Sequence, residues 1–215
     1  MSLNLDYSKP SSRNDYFKRS YEKSWVILHH TAGSSVSGAH ATLDREDYIA
    51  VSYMIDKDGT VYEKFNPKWW AYALGVRGYP KGYFDKRAIQ IELVNEGPLK
   101  KKGDNLYWWP NNFKTKFCHE TEEDRYGYAP FRDYDYYASY SKEQLEACTL
   151  LCKKLCEEFS IPKRILWSSR ETVILEPLKD LKFEGIVSHV NFRKDKSDIG
   201  SIFPWEDFYK ALKEA

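Results

Sequence analysis

The chain has 215 residues, with 33 Lys and Arg against 32 Asp and Glu, and a formal charge of +1 at neutral pH. At that length one domain with a sizeable core is expected, and a hydrophobic content of 42% with 16% aromatics excludes disorder for most of the chain. The charge balance argues against a nucleic-acid partner, which would show as a basic excess or stripe, and the longest apolar runs (Trp25 to Leu28, Val173 to Leu175) are too short to span a bilayer.

Residues 1–23 read as a polar leader, wrapped or loose, with no charged-then-apolar signal peptide. The expectation is a protein that stays where it is made until released, or a form trimmed of an export leader. Residues 24–215 read as one α/β domain. Ser24 to His30 (SWVILHH) is apolar until its last two residues, as in a strand buried on both faces. A loop with Gly33 and Gly38 leads to a helix expected from about Ala39 to Tyr48. Val51 to Asp56 and Thr60 to Phe65 read as two strands joined at Asp58-Gly59, a hairpin turn signal. In Ala88 to Val94, Ile89, Ile91 and Leu93 alternate with Gln90 and Glu92, so Glu92 lies on the face opposite the aliphatic set.

Asn105 to Tyr137 holds eleven aromatics among many charges with little periodicity, and reads as a long aromatic-rich insert that is functional or locally packed. Ser141 and Gln144 form a capping box for a helix whose buried stripe is Leu145, Cys148, Leu151, Cys152, Leu155 and Phe159, stopped before Pro162. Ile186 to His189 reads as a short strand ending in histidine, and Pro204 opens an amphipathic helix reaching Leu212. Cys148, Cys152 and Cys156 recur every four residues along one helical stripe, a poor backbone geometry for bridging. With Cys118 they are expected to be reduced, buried small hydrophobes.

Five histidines are present, at 29, 30, 40, 119 and 189. His29 and His30 end one buried strand, His189 ends another, and Asp198 follows in RKDKSDIGSIFPW. Two imidazoles and a carboxylate suit zinc with a fourth position left for water. Spacing alone favours the plainer alternative, strand-end histidines satisfied by backbone carbonyls.

The words VILHHTAG, VSYMIDKDGTVYE, AIQIELVNEG, YSKEQLEACTLLCKKL and SHVNFRKDKSDIGSIFPW occur in this order. Together they resemble the zinc-dependent N-acetylmuramoyl-L-alanine amidases of the type 2 family, from about Trp25 to the C-terminus. The resemblance implies a mixed central β-sheet flanked by helices with a Zn²⁺ site at one sheet edge, acting as a monomer on peptidoglycan or muropeptides. It further implies His29 (rather than His30), His189 and Asp198 as metal ligands, Glu92 as acid/base and Lys196 as the matching lysine of the late word. The chain departs from the family pattern at Ser52, at Tyr72-Ala73-Leu74-Gly75, which lacks its histidine, at Asp198-Ile199-Gly200, and at Ser188 in place of Gly.

The implied chemistry is hydrolysis of the amide between N-acetylmuramic acid and L-alanine. The rivals are a non-catalytic peptidoglycan-binding module on the same fold and a different zinc amide hydrolase. In the insert, Tyr107, Trp108, Trp109, Tyr134, Tyr136 and Tyr137 are expected mainly to pack beneath the loop, while Trp69, Trp70 and Tyr72 lie nearer the expected cleft.

Overall fold

The computed structural model describes residues 3–45, 49–166 and 183–214. Its centre is a six-stranded mixed sheet built on β2 (Trp25–His30), all of whose residues are buried. β2 pairs in parallel with β5 (Ala88–Leu93) on one side and β11 (Gly185–Ser188) on the other. Beyond β5 come β3 (Tyr53–Ile55), its hairpin partner β4 (Val61–Glu63) and, at the edge, β1 (Leu5–Asp6). The order is β1-β4-β3-β5-β2-β11.

The polar leader is wrapped onto this sheet. Besides supplying β1, it buries Lys23, whose Nζ donates to the carbonyls of Trp69 (2.9 Å), Lys86 (3.1 Å) and Ala88 (3.1 Å). A buried ammonium needs such acceptors, and desolvation still pulls its pKa down to about 8.

Strand parity divides the core. Val26, Leu28, Ile89, Ile91 and Leu93 face α3 (Lys142–Glu158) and α4 (Trp205–Lys213) in the largest apolar cluster. Trp25, Ile27 and Ala88 face the other way, onto Leu74, Phe84 and Phe192. The Ser141 hydroxyl caps α3 by accepting from Gln144 N at 3.2 Å. The expected capping box is only half made, because the buried Gln144 side chain instead donates to the carbonyls of Ile55 (2.9 Å) and Val94 (3.0 Å), tying the helix to the ends of β3 and β5.

Two further expectations change here. The first helix, α1, runs Val36–Leu43 rather than from Ala39, because Ser35 accepts from Gly38 N and starts it earlier; positions 46–48 lie outside the described residues, as does the Val173 to Leu175 run. The aromatic insert is not a long loop. It belongs to a second, antiparallel sheet of β6 (Pro98–Lys102), β7 (Asn105–Trp108), β8 (Thr115–His119), β9 (Tyr126–Phe131) and β10 (Tyr134–Ala138), in the order β8-β7-β6-β10-β9.

These strands are short and their outer faces carry Tyr and Lys, so the apolar alternation that would mark them is blurred. Aromatic β-propensity and tight turns at Gly103 and Arg132, both with positive φ, hold them instead. Leu99, Leu106, Cys118 and Ala138 form their core. Asn95, just past β5, seats this sheet by donating to the carbonyls of Ala138 (3.3 Å) and Ser139 (3.0 Å). Among the described residues all four cysteines are free and buried.

Candidate metal centre and cleft

The parallel register sets Glu92 directly opposite His29, so both side chains leave the same face of the sheet. His30, one residue on, leaves the opposite face. Its Nδ1 stands 3.5 Å from the Tyr140 hydroxyl, and its other edge packs on Gly97, where a Cβ would come within 2.7 Å of Nε2. Burial pushes the His30 pKa down to about 4, so the ring is neutral.

His189 follows β11 as the first residue of a 3-10 turn, His189–Asn191, rather than as the last residue of the strand. The loop bearing Asp198 is folded back on this turn. Val190 N donates to Asp198 O at 3.0 Å and the Ser188 hydroxyl donates to Ile199 O at 3.3 Å, a bond that the usual glycine could not make.

These elements bring three donor atoms together. His29 Nδ1 lies 3.1 Å from His189 Nδ1 and 3.1 Å from Asp198 Oδ2, and His189 Nδ1 lies 2.9 Å from Asp198 Oδ2. The other ring nitrogens face acceptors: His29 Nε2 is 3.0 Å from Gln90 Oε1, and His189 Nε2 is 2.9 Å from the Leu74 carbonyl. Both Nε2 atoms therefore carry the proton, and the two Nδ1 lone pairs face each other beside a carboxylate. Three converging electron-pair donors, each buried, make a pocket suited to a cation. The arrangement fits a divalent metal with nitrogen and oxygen ligands.

The cluster opens into a cleft of about 750 Å³ that also holds Glu92 and Lys196. Glu92 Oε2 is buried without a hydrogen-bond partner. Burial drives its pKa up to about 7, with His29 opposing, Asp198 reinforcing and Lys196 opposing that rise. All five residues singled out from the sequence thus border one cavity. Sequence reading missed Gln90 and the Leu74 carbonyl, although Gln90 could have been noticed as a second polar residue on the buried face that bears Glu92.

It also underrated part of the insert. Trp109, Phe113 and Tyr134 form a wall of the cleft together with Pro98 and Asn112. Trp109 is 52% exposed and donates its indole N–H to the Ala32 carbonyl, while Phe113 and Tyr134 pack with centroids 5.7 Å apart. Asn111, Asn112 and Phe113, within the single turn α2 (Pro110–Phe113), take positive φ, and Asn112 and Phe113 line the cleft. Tyr137, by contrast, is buried with its hydroxyl donating to Phe131 O at 2.7 Å, as expected of a packing aromatic. Trp69 and Trp70 pack with the leader instead of lining the metal cleft; of the departing Tyr72-Ala73-Leu74-Gly75 word, Ala73 lines it.

Several solved structures share the fold. The chain is similar to the amidase AmiD from E. coli, solved with anhydro-N-acetylmuramic acid-L-Ala-D-γ-Glu-L-Lys, at 17% identity and a TM-score of 0.57, over 92% of this chain and 60% of that one. It is similar to an endolysin from Bacillus subtilis at 15% identity and a TM-score of 0.56, over 98% and 99% of the two chains. It is also similar to AmpDh3 from Pseudomonas aeruginosa at 17% identity and a TM-score of 0.53, over 100% and 68%. At such identities the likeness establishes the fold, and the chain spans only 60% of the length of AmiD. No curated protein matches the chain in sequence. The family model described as N-acetylmuramoyl-L-alanine amidase matches residues 20–201, a stretch that begins ahead of β2 and takes in Asp198, and the chain belongs to that family of enzymes.

Proposed function

We propose that the protein hydrolyses the lactyl-amide bond between N-acetylmuramic acid and L-alanine in peptidoglycan, with His29, His189 and Asp198 holding zinc and Glu92 and Lys196 acting on the reacting groups. The observation that carries this reading is the three-donor cluster sharing one cleft with a carboxyl whose pKa lies near 7. When bound, zinc supplies a Lewis acid and lowers the pKa of water towards neutrality.

Amide hydrolysis needs a base for the attacking water and an acid for the departing amine. Glu92, poised near neutrality, takes the water's proton at its carboxylate and then delivers it to the L-alanine nitrogen as the C–N bond breaks. Its position opposite His29 keeps it beside the metal ligands throughout. Lys196 places its ammonium in the same cavity, close enough for its charge to act on Glu92 and His30, and opposes the negative charge that develops on the scissile carbonyl oxygen. The Trp109–Phe113–Tyr134 wall orients the muropeptide across the ligand cluster.

Mass spectrometry of products from purified peptidoglycan tests the reading. The expected products are stem peptides with a free L-alanine amino terminus and glycan strands bearing free lactyl carboxylates. Binding without products would identify a non-catalytic module, and cleavage of another amide would identify a different hydrolase.

A further inference from the structure

One carboxylate oxygen lies behind both histidines. Asp85, only 6% exposed, opens the short 3-10 turn Asp85–Arg87 that leads into β5. Its Oδ1 accepts from Gln90 Nε2 at 3.1 Å, from Ala73 N at 2.9 Å and from Leu74 N at 3.0 Å. Gln90, itself 3% exposed, presents Oε1 to His29 Nε2, and Leu74 presents its carbonyl to His189 Nε2. We infer that Asp85 is a positioning residue for the whole metal centre, fixing the tautomer and orientation of both histidine ligands through these two arms.

The argument follows from donor and acceptor inventory. A carboxylate can only accept, so Asp85 obliges Gln90 to turn its amide nitrogen inward and its oxygen towards His29. Without Asp85 the Gln90 amide is free to flip, and a flipped amide would offer a donor to Nε2 and drive the proton onto Nδ1, the atom that faces the cluster. The second arm works through the backbone. Holding the Ala73 and Leu74 amides fixes the segment whose carbonyl takes the His189 Nε2–H, and the Arg193 Nη1 contact to the same carbonyl at 3.4 Å helps keep it in place. Partners of this kind typically alter metal affinity 10–100-fold when removed. The segment concerned is the Tyr72-Ala73-Leu74-Gly75 word, so a stretch that departs from the family pattern contributes here through its backbone.

This inference rests on the proposed ligand set, and the experiment separates the two. Zinc affinity is measured by chelator competition, and long-range ¹H–¹⁵N spectra of the metal-free protein report which nitrogen of each histidine is protonated. Asp85→Ala should weaken zinc binding by about 10–100-fold and mix the tautomers of both rings. Asp85→Asn, which can keep an oxygen where all three donors converge, should stay close to the parental affinity. Gln90→Leu should disturb His29 and leave His189 Nε2-protonated. A folded Asp85→Ala protein with parental affinity and unchanged tautomers would overturn the inference. If that variant does not fold, unchanged affinity and an unchanged His29 ring in Gln90→Leu would do the same. A parental protein that takes up no zinc would defeat the ligand assignment, while the tautomer spectra would still decide the role of Asp85.

Discussion

Glu92 and His29 occupy paired positions on neighbouring parallel strands, and their side chains leave the same face of the sheet towards one cleft. A rigid strand pair, buried except at the half-buried Glu92, therefore sets the distance between this carboxylate and the donor cluster, where a loop could not. Because Glu92 is not among the clustered donors, its chemistry can be removed without removing a ligand.

Glu92→Gln keeps the size of the side chain but abolishes its basicity. Turnover of purified peptidoglycan should fall by roughly 10²-fold or more with zinc content and substrate affinity retained. Lys196→Ala should likewise lower kcat with the metal retained. A change in KM alone for Glu92→Gln would instead assign that residue to substrate binding.

The two adjacent histidines should behave differently. His29→Ala removes a donor and should lose the metal, as measured by elemental analysis after gentle purification. His30→Ala should retain it, since the His30 nitrogens face Tyr140 and Gly97 on the other side of the strand.

The raised pKa of Glu92 predicts a pH dependence of stability in the chelator-treated protein. An unfolded chain releases this proton near the ordinary value of 4.5, whereas the folded protein keeps it until about pH 7. Between those values the native state binds more protons, so its stability falls as pH rises through that window and levels off above it. Glu92→Gln removes the penalty. Its stability advantage over the parental protein should grow by up to roughly 3 kcal/mol between about pH 4.5 and about pH 8, as read from denaturant titrations. A constant difference across that range would contradict the burial of this carboxyl.

Trp109 offers an exposed ring at the cleft wall without contributing to the metal cluster. Trp109→Ala should raise KM several-fold while kcat and zinc content change little, a split that steady-state kinetics with soluble muropeptides would resolve.

All four cysteines are free and buried, three of them along α3 and Cys118 in the core of the second sheet. Alkylation of denatured, unreduced protein should label four thiols, counted by intact mass. Labelling of two or fewer would show that disulfides form.

The central sheet and the residues that meet in its cleft were legible in the sequence because local patterns carried them. SWVILHH and AIQIELV mark buried strands by composition and parity, Ser141 marks a helix start, and the order of five short words pointed to the family and to His29, His189, Asp198, Glu92 and Lys196. Sequence could not decide the second sheet. Its strands are four to six residues long and mix Tyr with Lys on one face, so no period stands out until their pairing buries Leu99, Leu106 and Ala138. Nor could it show that Asp85 serves both histidines. That role depends on a 3-10 turn, a strand residue and two backbone amides meeting at one oxygen, and only tertiary folding sets such a convergence of groups. Periodicity records which face of an element is buried, whereas what a buried polar atom touches is settled by the packing of elements distant in the chain.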